Sequence, residues 1–404
     1  MIRIITIIII ISSICNSRMW TDSITKPTLI LDSTKCRANI QRMADKATQN
    51  GLRLRPHAKT HQSAMVGQWF REVDNAIDGI TVSSVDMAVY FAAHGWKDIT
   101  IAFTVNVRQI PEINQLLGNT PGLKLGLLVE SIDTVKILQD KLEYAVQVWI
   151  DVDTGYHRTG VDWQATGDII ALAQTIREAP ITKLAGLLGH PGHTYKSTAF
   201  QEVETIHKET VQRMNSIRIV LIEKLNLSAT ERLIISLGDT PSCSMIQDWS
   251  GVDEIRPGNF VFYDVMQAHI GANRLEDVAV AVACPVIAKH PHLHQIVVYG
   301  GAVHLSKDRI VDERGRTLFG LLARPTVDGW EIMDDNLYVK GLSQEHGLIH
   351  IDENSSLMES TDVGDILLVV PIHSCLTANL LKNYIVLPEG DKVPMAPIPP
   401  SSDA

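Results

Sequence analysis

Leu52-Arg53-Leu54-Arg55-Pro56-His57-Ala58-Lys59-Thr60-His61 is the stretch on which the reading of the fold turns. An apolar run starting at Leu52 leads into it, and a helical-looking segment, 63–71, follows. Pro56 cannot donate to a sheet ladder, so it marks the irregular end of a strand. Lys59 then stands near the C-terminal end of that strand. A lysine there can act as an amine nucleophile if burial or neighbouring cations keep part of it neutral. Arg55, His57 and His61 could supply that positive field. A basic loop touching solvent is the competing reading, and spacing alone does not separate the two.

Outward from this stretch, strand-like and helix-like segments alternate. Before it, Cys36, Ile40, Met43, Ala44 and Ala47 recur at helical spacing within 33–50. Strand-like runs fall at 52–55, 79–83, 99–103, 124–129, 145–151, 181–188, 232–236 and 254–262. Helices fit between them, as at 86–93, 134–142 and 162–179, and the longest spans 200–224. Eight strands with helical crossovers predict an α/β fold, a parallel (β/α)8 TIM barrel. An open doubly wound sheet is the alternative, and the lack of a GxGxxG after the first strand argues against its dinucleotide-binding version. After about Leu275 short strand-like runs follow at 278–288, 295–298, 318–322, 330–332, 348–351 and 366–370, with no convincing helix. They predict an antiparallel β domain. The resulting plan is an extension over 1–18, a barrel over 25–274, a β domain over 275–388 and a disordered tail over 389–404, rich in Pro and Ser.

A chain of 404 residues, 45% hydrophobic and 20% charged, suits a soluble barrel plus a second domain. Its net charge of -10 argues against nucleic acid as a partner. Five scattered cysteines without a CxxC pair imply no disulfide framework and fit a reduced, cytoplasmic setting. The apolar run 4–11 is too short to span a bilayer. One reading makes it the core of a signal peptide, cleaved near Ser13-Ile14-Cys15, and the protein is then exported. The preferred reading starts the protein at Met19, because a globular pattern begins immediately behind it.

In such a barrel the chemistry gathers at the C-terminal strand ends. Those ends carry Lys59, Ser83-Ser84, the stretch DVDTGYHR at 151–158, Gly189-His190, Gly238-Asp239-Thr240 and Arg256-Pro257-Gly258-Asn259. Glycine and small residues after strands seven and eight are where such barrels bind phosphate through backbone N–H groups. Tight βα turns are the plain alternative, and Asp239, an awkward neighbour for a dianion, is expected to point away. A lysine at the first strand and a phosphate cradle at the last two describe a pyridoxal phosphate site: the lysine forms the Schiff base and the phosphate anchors the ring.

RPHAKTHQS (55–63), DVDTGYHRTGV (151–161), GHPGHTY (189–195), SLGDTPS (236–242), EIRPGNFVFYD (254–264), KGLSQEHG (340–347) and PIHSCLT (371–377) occur in this order. Over residues 25–388 the chain resembles the D-threonine aldolase / D-serine dehydratase family. The resemblance implies an alanine-racemase-like barrel (fold type III) with a C-terminal β domain, and a homodimer. It makes Lys59 the Schiff-base lysine, Arg158 a partner of the cofactor ring or the substrate carboxylate, and Tyr195 a cofactor contact. Gly238, Asp239, Thr240, Gly258 and Asn259 become the phosphate site. Arg256 matches the arginine that meets the pyridine nitrogen in alanine racemases, with Tyr195 as the alternative for that role.

His373-Ser374-Cys375 follows directly on the strand-like run that ends at Val370. Residues i and i+2 of an extended segment point the same way, so imidazole and thiolate can bind one ion. A buried cysteine beside a satisfied histidine is the plain reading of HxC alone; within PIHSCLT the resemblance makes these residues the metal pair. Nitrogen plus sulfur suits Zn2+, with another divalent metal such as Mn2+ as the alternative. Water and substrate would complete the ion's coordination. His290, His292 and His294 are read as a surface loop, His190 and His193 as pocket lining, and Glu345-His346 as a substrate-side acid/base pair, with a loop hydrogen bond as the alternative.

The implied activity is that of a PLP- and metal-dependent lyase acting on D-3-hydroxy amino acids, small-molecule substrates, with no membrane partner. Dehydration of D-serine to pyruvate and ammonia is the expected reaction, since Cys375 and GHTY tilt that way. Cleavage of D-threonine to glycine and acetaldehyde stays close behind. An amino-acid racemase would need a second base that the sequence does not identify, and a non-catalytic PLP-binding protein would resemble the barrel alone.

Overall fold

The computed structural model describes residues 20–228 and 231–396. The two readings of residues 1–18, and Met19 with them, lie outside the described residues. So does the tail from 397 onward.

Eight parallel strands run Arg53–Leu54, Gly79–Val82, Asp98–Thr104, Lys124–Val129, Val146–Asp153, Thr182–Gly189, Ile234–Leu237 and Glu254–Ile255. Each lies beside its neighbour in sequence, and the eighth pairs with the first. A bridge between His57 and Thr81 carries the first strand onto the second and all but closes the ring. The (β/α)8 expectation therefore holds. Successive side chains on a strand face opposite ways, and the core divides accordingly. Leu128, Trp149 and Leu188 form a small cluster of their own with Ala102, Ala185 and Ile234. Their chain neighbours Leu127, Ile150 and Leu187 belong to the large core that also holds the helices. Such filling makes the barrel a packed core rather than a pore.

A second sheet of ten strands is mostly antiparallel. Its order runs Gln295–Tyr299, His346–His350, Tyr338–Leu342, Gly320–Pro325, Ile366–Pro371, Val280–His290, Thr28–Asp32, Asn383–Leu387, Asp391–Pro394, with Trp330–Ile332 on Gly320–Pro325. Val280–His290 also pairs with Gln295–Tyr299, which curls the sheet into a barrel-like form.

Three expectations need correction. The strand Thr28–Asp32 lies inside the segment assigned to the (β/α)8 barrel but pairs with Val280–His290 and Asn383–Leu387 in the second sheet. Residues 391–394, expected to be disordered, form a strand hydrogen-bonded to Asn383–Leu387, so partner pairing overrides a tail-like composition. The second sheet also carries a helix, Ser374–Leu381, where none was expected.

These additions position the site. Tyr384, fully buried, donates its hydroxyl to the carbonyl of His61, and Ala396 N–H donates to the carbonyl of Gln62. The C-terminal segment thus clamps the loop that carries Lys59. Among the described residues no helix is long and apolar enough to cross a membrane.

Candidate active site

The loop after the first strand is pinned on both sides. His57 N–H donates to the carbonyl of Pro257 (2.9 Å), Ala58 N–H to Thr81 (2.8 Å), and Thr81 N–H to Pro56 (2.9 Å). Residues 54–63 are all buried except Lys59, which is exposed. Its chain opens onto solvent, yet enough protein surrounds the amine to desolvate its charged form. That burial lowers its pKa; Cys375 opposes the shift, while Arg158 and Arg256 reinforce it. A lysine in this setting holds more neutral amine near neutral pH than a free one.

The positive field does not come from the residues expected. Arg55 is turned under the loop, donating to Glu254 Oε2 (2.8 Å) and Asp98 Oδ1 (2.8 Å). Burial opposes its charge, but those two carboxylates outweigh it. His61 is driven down to about 3 by burial. Burial, then Lys59 and Arg256, pushes His57 well below the usual imidazole range. Both are therefore neutral at physiological pH. The cations that act on Lys59 are Arg158, exposed and lying over the Tyr156 ring at 5.3 Å, and buried Arg256. His190 is also close enough to feel Lys59; burial first and then Lys59 hold it down to about 3.

Arg256 spends Nε on Ser236 Oγ (2.7 Å) and Nη2 on the Gly189 carbonyl (2.8 Å), which locks it between strands. Burial lowers its pKa to about 10, so it stays charged. Tyr195 accepts from Thr240 N–H (3.2 Å) at the start of a short helix, Thr240–Met245. Asp239 caps that helix: its Oδ2 accepts from Ser242 N–H and from Thr194 Oγ, each at 2.8 Å. The carboxylate is thus occupied within the loop. A Cβ on Gly238 would meet the carbonyl oxygen of Arg256 at 2.7 Å, so only glycine lets the seventh and eighth loops come this close. Gly258 likewise faces His57.

His373 and Cys375 meet this cleft from the second sheet. The expectation of an extended HxC segment is corrected here. His373 is the extended residue that precedes the helix Ser374–Leu381, and Cys375 sits in its first turn. The two still act on each other: the imidazole works to lower the thiol's pKa, and the thiol works to raise the imidazole's. Thr60 Oγ1 lies 3.2 Å from Cys375 Sγ and brings the lysine loop against it. Burial works to raise the Cys375 pKa, but His373, Lys59 and Thr60 outweigh it and the thiol is held below its ordinary value. Burial likewise works against charge on His373, yet Asp308 and Cys375 raise it to about 11.

Two carboxylates that sequence reasoning did not single out build this side. Asp308 Oδ2 accepts from His373 Nδ1 at 2.6 Å. Asp264, fully buried, accepts from Asn259 Nδ2 (2.6 Å), Ser374 N–H (2.9 Å), Ser374 Oγ (3.2 Å) and Gln267 N–H (2.9 Å). Asn259 Nδ2 also reaches Cys375 Sγ at 3.5 Å, which ties the loop after the eighth strand to the His373–Cys375 side of the cleft. Asp264 closes the motif EIRPGNFVFYD, which was its one local signal; Asp308 had none. Among the described residues, no group of three or more His, Cys, Asp or Glu side chains gathers around a possible ion.

The remaining candidates lie further out. His193 stacks on Tyr156 (6.1 Å), and its electrostatic neighbours are Arg213, Asp153, Glu209 and His157 rather than Lys59. Glu345 faces His304 (3.7 Å), while exposed His346 opens the strand His346–His350, so these two do not pair with each other. His292 and His294 are exposed at the turn between two strands of the second sheet, beside His290.

A parallel barrel with a buried lysine loop, capped by a mostly antiparallel sheet, defines the alanine-racemase-like class. Residues 31–265 match the family "Alanine racemase, N-terminal domain", and residues 279–387 match "Putative serine dehydratase domain". The first match covers over half the chain: the protein belongs to the alanine racemase N-terminal domain family. Among relatives, a D-serine dehydratase of Dictyostelium discoideum is 27% identical over 390 residues, 90% of this chain and 93% of its own. A D-threo-3-hydroxyaspartate dehydratase of Delftia sp. (strain HT23) is 27% identical over 381 residues, 89% of this chain and 93% of its own. Its solved structure matches with a TM-score of 0.83 at 26% identity, covering 93% of this chain and 98% of that one. A D-threonine aldolase of Arthrobacter sp. is 25% identical over 372 residues, 90% of this chain and 89% of its own. Structures of a D-threo-3-hydroxyaspartate dehydratase also include a Cys→Ala variant in a metal-free form and a His→Ala variant two positions before it.

Proposed function

We propose that this protein is a PLP- and metal-dependent lyase of D-3-hydroxy amino acids, with dehydration of D-serine to pyruvate and ammonia as its reaction. The observation that carries the reading is the 3.2 Å contact between Thr60, next to Lys59, and Cys375, which brings the amine's loop and the thiol to one cleft. Pyridoxal phosphate fits the donors present: an exposed lysine with a lowered pKa, in the field of Arg158 and Arg256, suits an anionic aldehyde. A divalent ion fits the imidazole and low-pKa thiol of His373 and Cys375, and sulfur favours zinc over manganese. Bound there, the cofactor supplies an electron sink for the α-carbon and the ion a Lewis acid for the β-oxygen.

The chain's own residues divide the work. Lys59 would hold the cofactor, and its amine, when free, would take the proton from the α-carbon. Gly238, Asp239, Thr240, Gly258 and Asn259 hold the phosphate through their backbone, with Tyr195 beside them. Arg256 serves the ring and Arg158 the ring or the substrate carboxylate. His57 and His190, kept neutral, add no competing charge. His373 and Cys375 hold the ion that meets the β-hydroxyl. Loss of the α-proton and departure of hydroxide would give an enamine that, once released, water hydrolyses to the keto acid and ammonia. Loss of the hydroxyl proton instead breaks the Cα–Cβ bond and yields glycine and an aldehyde. The second outcome, aldol cleavage of D-threonine, is kept because of the Arthrobacter relative. The same reading takes 25–274 as the cofactor domain, with a cytoplasmic location and a homodimer.

Product analysis decides between the outcomes. Purified protein supplied with D-serine and D-threonine should yield pyruvate and 2-oxobutyrate. Glycine with acetaldehyde as the sole products would replace dehydration by cleavage, and no turnover of either substrate would defeat the proposal.

A further inference from the structure

We infer that Asp308 is a positioning residue: it fixes the ring of His373 so that Nε2 is the nitrogen offered beside Cys375. The inference rests on the metal reading of His373 and Cys375. A neutral imidazole has one N–H and one lone pair, and the partner of one nitrogen decides what the other can do. Asp308 Oδ2 lies 2.6 Å from His373 Nδ1, within the range of a charge-assisted hydrogen bond. The Nδ1–H is thereby held by Asp308, so Nε2 is the nitrogen that can give up its proton to an ion shared with the thiol.

The position of Asp308 is built. Its N–H donates to Ser306 Oγ (3.1 Å), which shapes the turn that presents the carboxylate. Just upstream, the Leu305 carbonyl accepts from Thr377 Oγ1 (3.2 Å), tying this segment to the helix that carries Cys375. Asp264 is the other carboxylate that acts on His373, but its oxygens are taken by Ser374, Asn259 and Gln267. Asp308 is therefore the carboxylate bonded to the ring. Outer carboxylates of this kind typically change metal affinity by about 10- to 100-fold.

The test is zinc affinity, measured on the cofactor-loaded protein by titration against a chromophoric chelator, with cofactor absorbance followed alongside. Asp308→Ala should weaken zinc binding by roughly 10- to 100-fold, with cofactor absorbance unchanged. Asp308→Glu, which restores an acceptor and a charge, should bind more tightly than the alanine variant. Asp308→Asn keeps the shape and an acceptor but not the charge, and should fall between wild type and alanine; it carries the test if alanine prevents folding. Equal zinc affinity in wild type and Asp308→Ala, or Asp308→Asn where that variant must stand in, would overturn the role of Asp308. Loss of cofactor together with zinc would overturn it too, by making the residue a general structural support. Wild type that takes up no zinc would instead remove the metal reading itself.

Discussion

The lysine side of the cleft and the metal side are built in opposite ways. Around Lys59, most of the hydrogen bonds that set the loop come from its own residues and from the two barrel strands beside it. Around His373 and Cys375, the contacts join segments far apart in the chain. Asp308 lies 65 positions from His373, Asp264 110 from Ser374, and Thr60 315 from Cys375. A barrel strand end places its side chain through the register of the sheet, whereas His373 and Cys375 depend on contacts between two sheets. The two sides should therefore fail separately: the amine can keep its cofactor when the ion is lost.

The largest effect is expected at Lys59. Lys59→Ala should lower turnover by at least about a thousandfold and abolish the visible absorption of bound cofactor. Activity within tenfold of wild type would dissolve the comparison, because no other described amine shares the cleft's setting. His373→Ala, Cys375→Ala or chelation comes next. Each should cost about a thousandfold in kcat, since a Lewis acid is worth several kcal/mol, while cofactor absorbance stays. Zinc should restore the chelated wild type but neither variant. If chelated protein keeps full activity on D-serine and D-threonine, the separation collapses to one functional side.

This asymmetry also explains what was legible in the sequence. The eight-strand rhythm was readable because the six strands between the first and the last are short, mostly apolar runs separated by helices, and that pattern is local. Thr28–Asp32 was misassigned because its partners lie hundreds of positions away; residues 391–394 pair with the nearby Asn383–Leu387 and were missed because their composition is that of a tail. HxC was found through its motif, but the reasoning that placed it on an extended segment was wrong, since Cys375 opens a helix. Asp308 was invisible: an aspartate in a polar loop has no signature until its histidine is brought to it. Arg55 was misjudged for the same reason. Its charge is consumed by Glu254 and Asp98, neither close to it in sequence.

Arg55 sharpens the comparison at the next level down. Arg55→Leu removes the buried guanidinium shared by Asp98 and Glu254, leaving them only the half-exposed Arg53, and should destabilise the fold by about 3–5 kcal/mol, read by denaturant unfolding. A loss under about 1 kcal/mol would mean the network contributes as little as a surface pair. The smallest expected effect is a pH shift. Arg158 is among the cations that hold the Lys59 pKa down. Arg158→Ala should therefore move the pH midpoint of Lys59 modification in apoprotein upward. A downward shift, or none, would mean that Arg158 does not set the field at the amine.

Borohydride reduction of the cofactor-loaded protein, followed by peptide mapping, tests the central claim most directly. Reduction should trap pyridoxal phosphate on the peptide that contains Lys59 and on no other, and the same label should appear after the protein has been stripped of metal. Label on any other lysine would contradict the account, because the site has been placed around the one exposed residue of an otherwise buried loop.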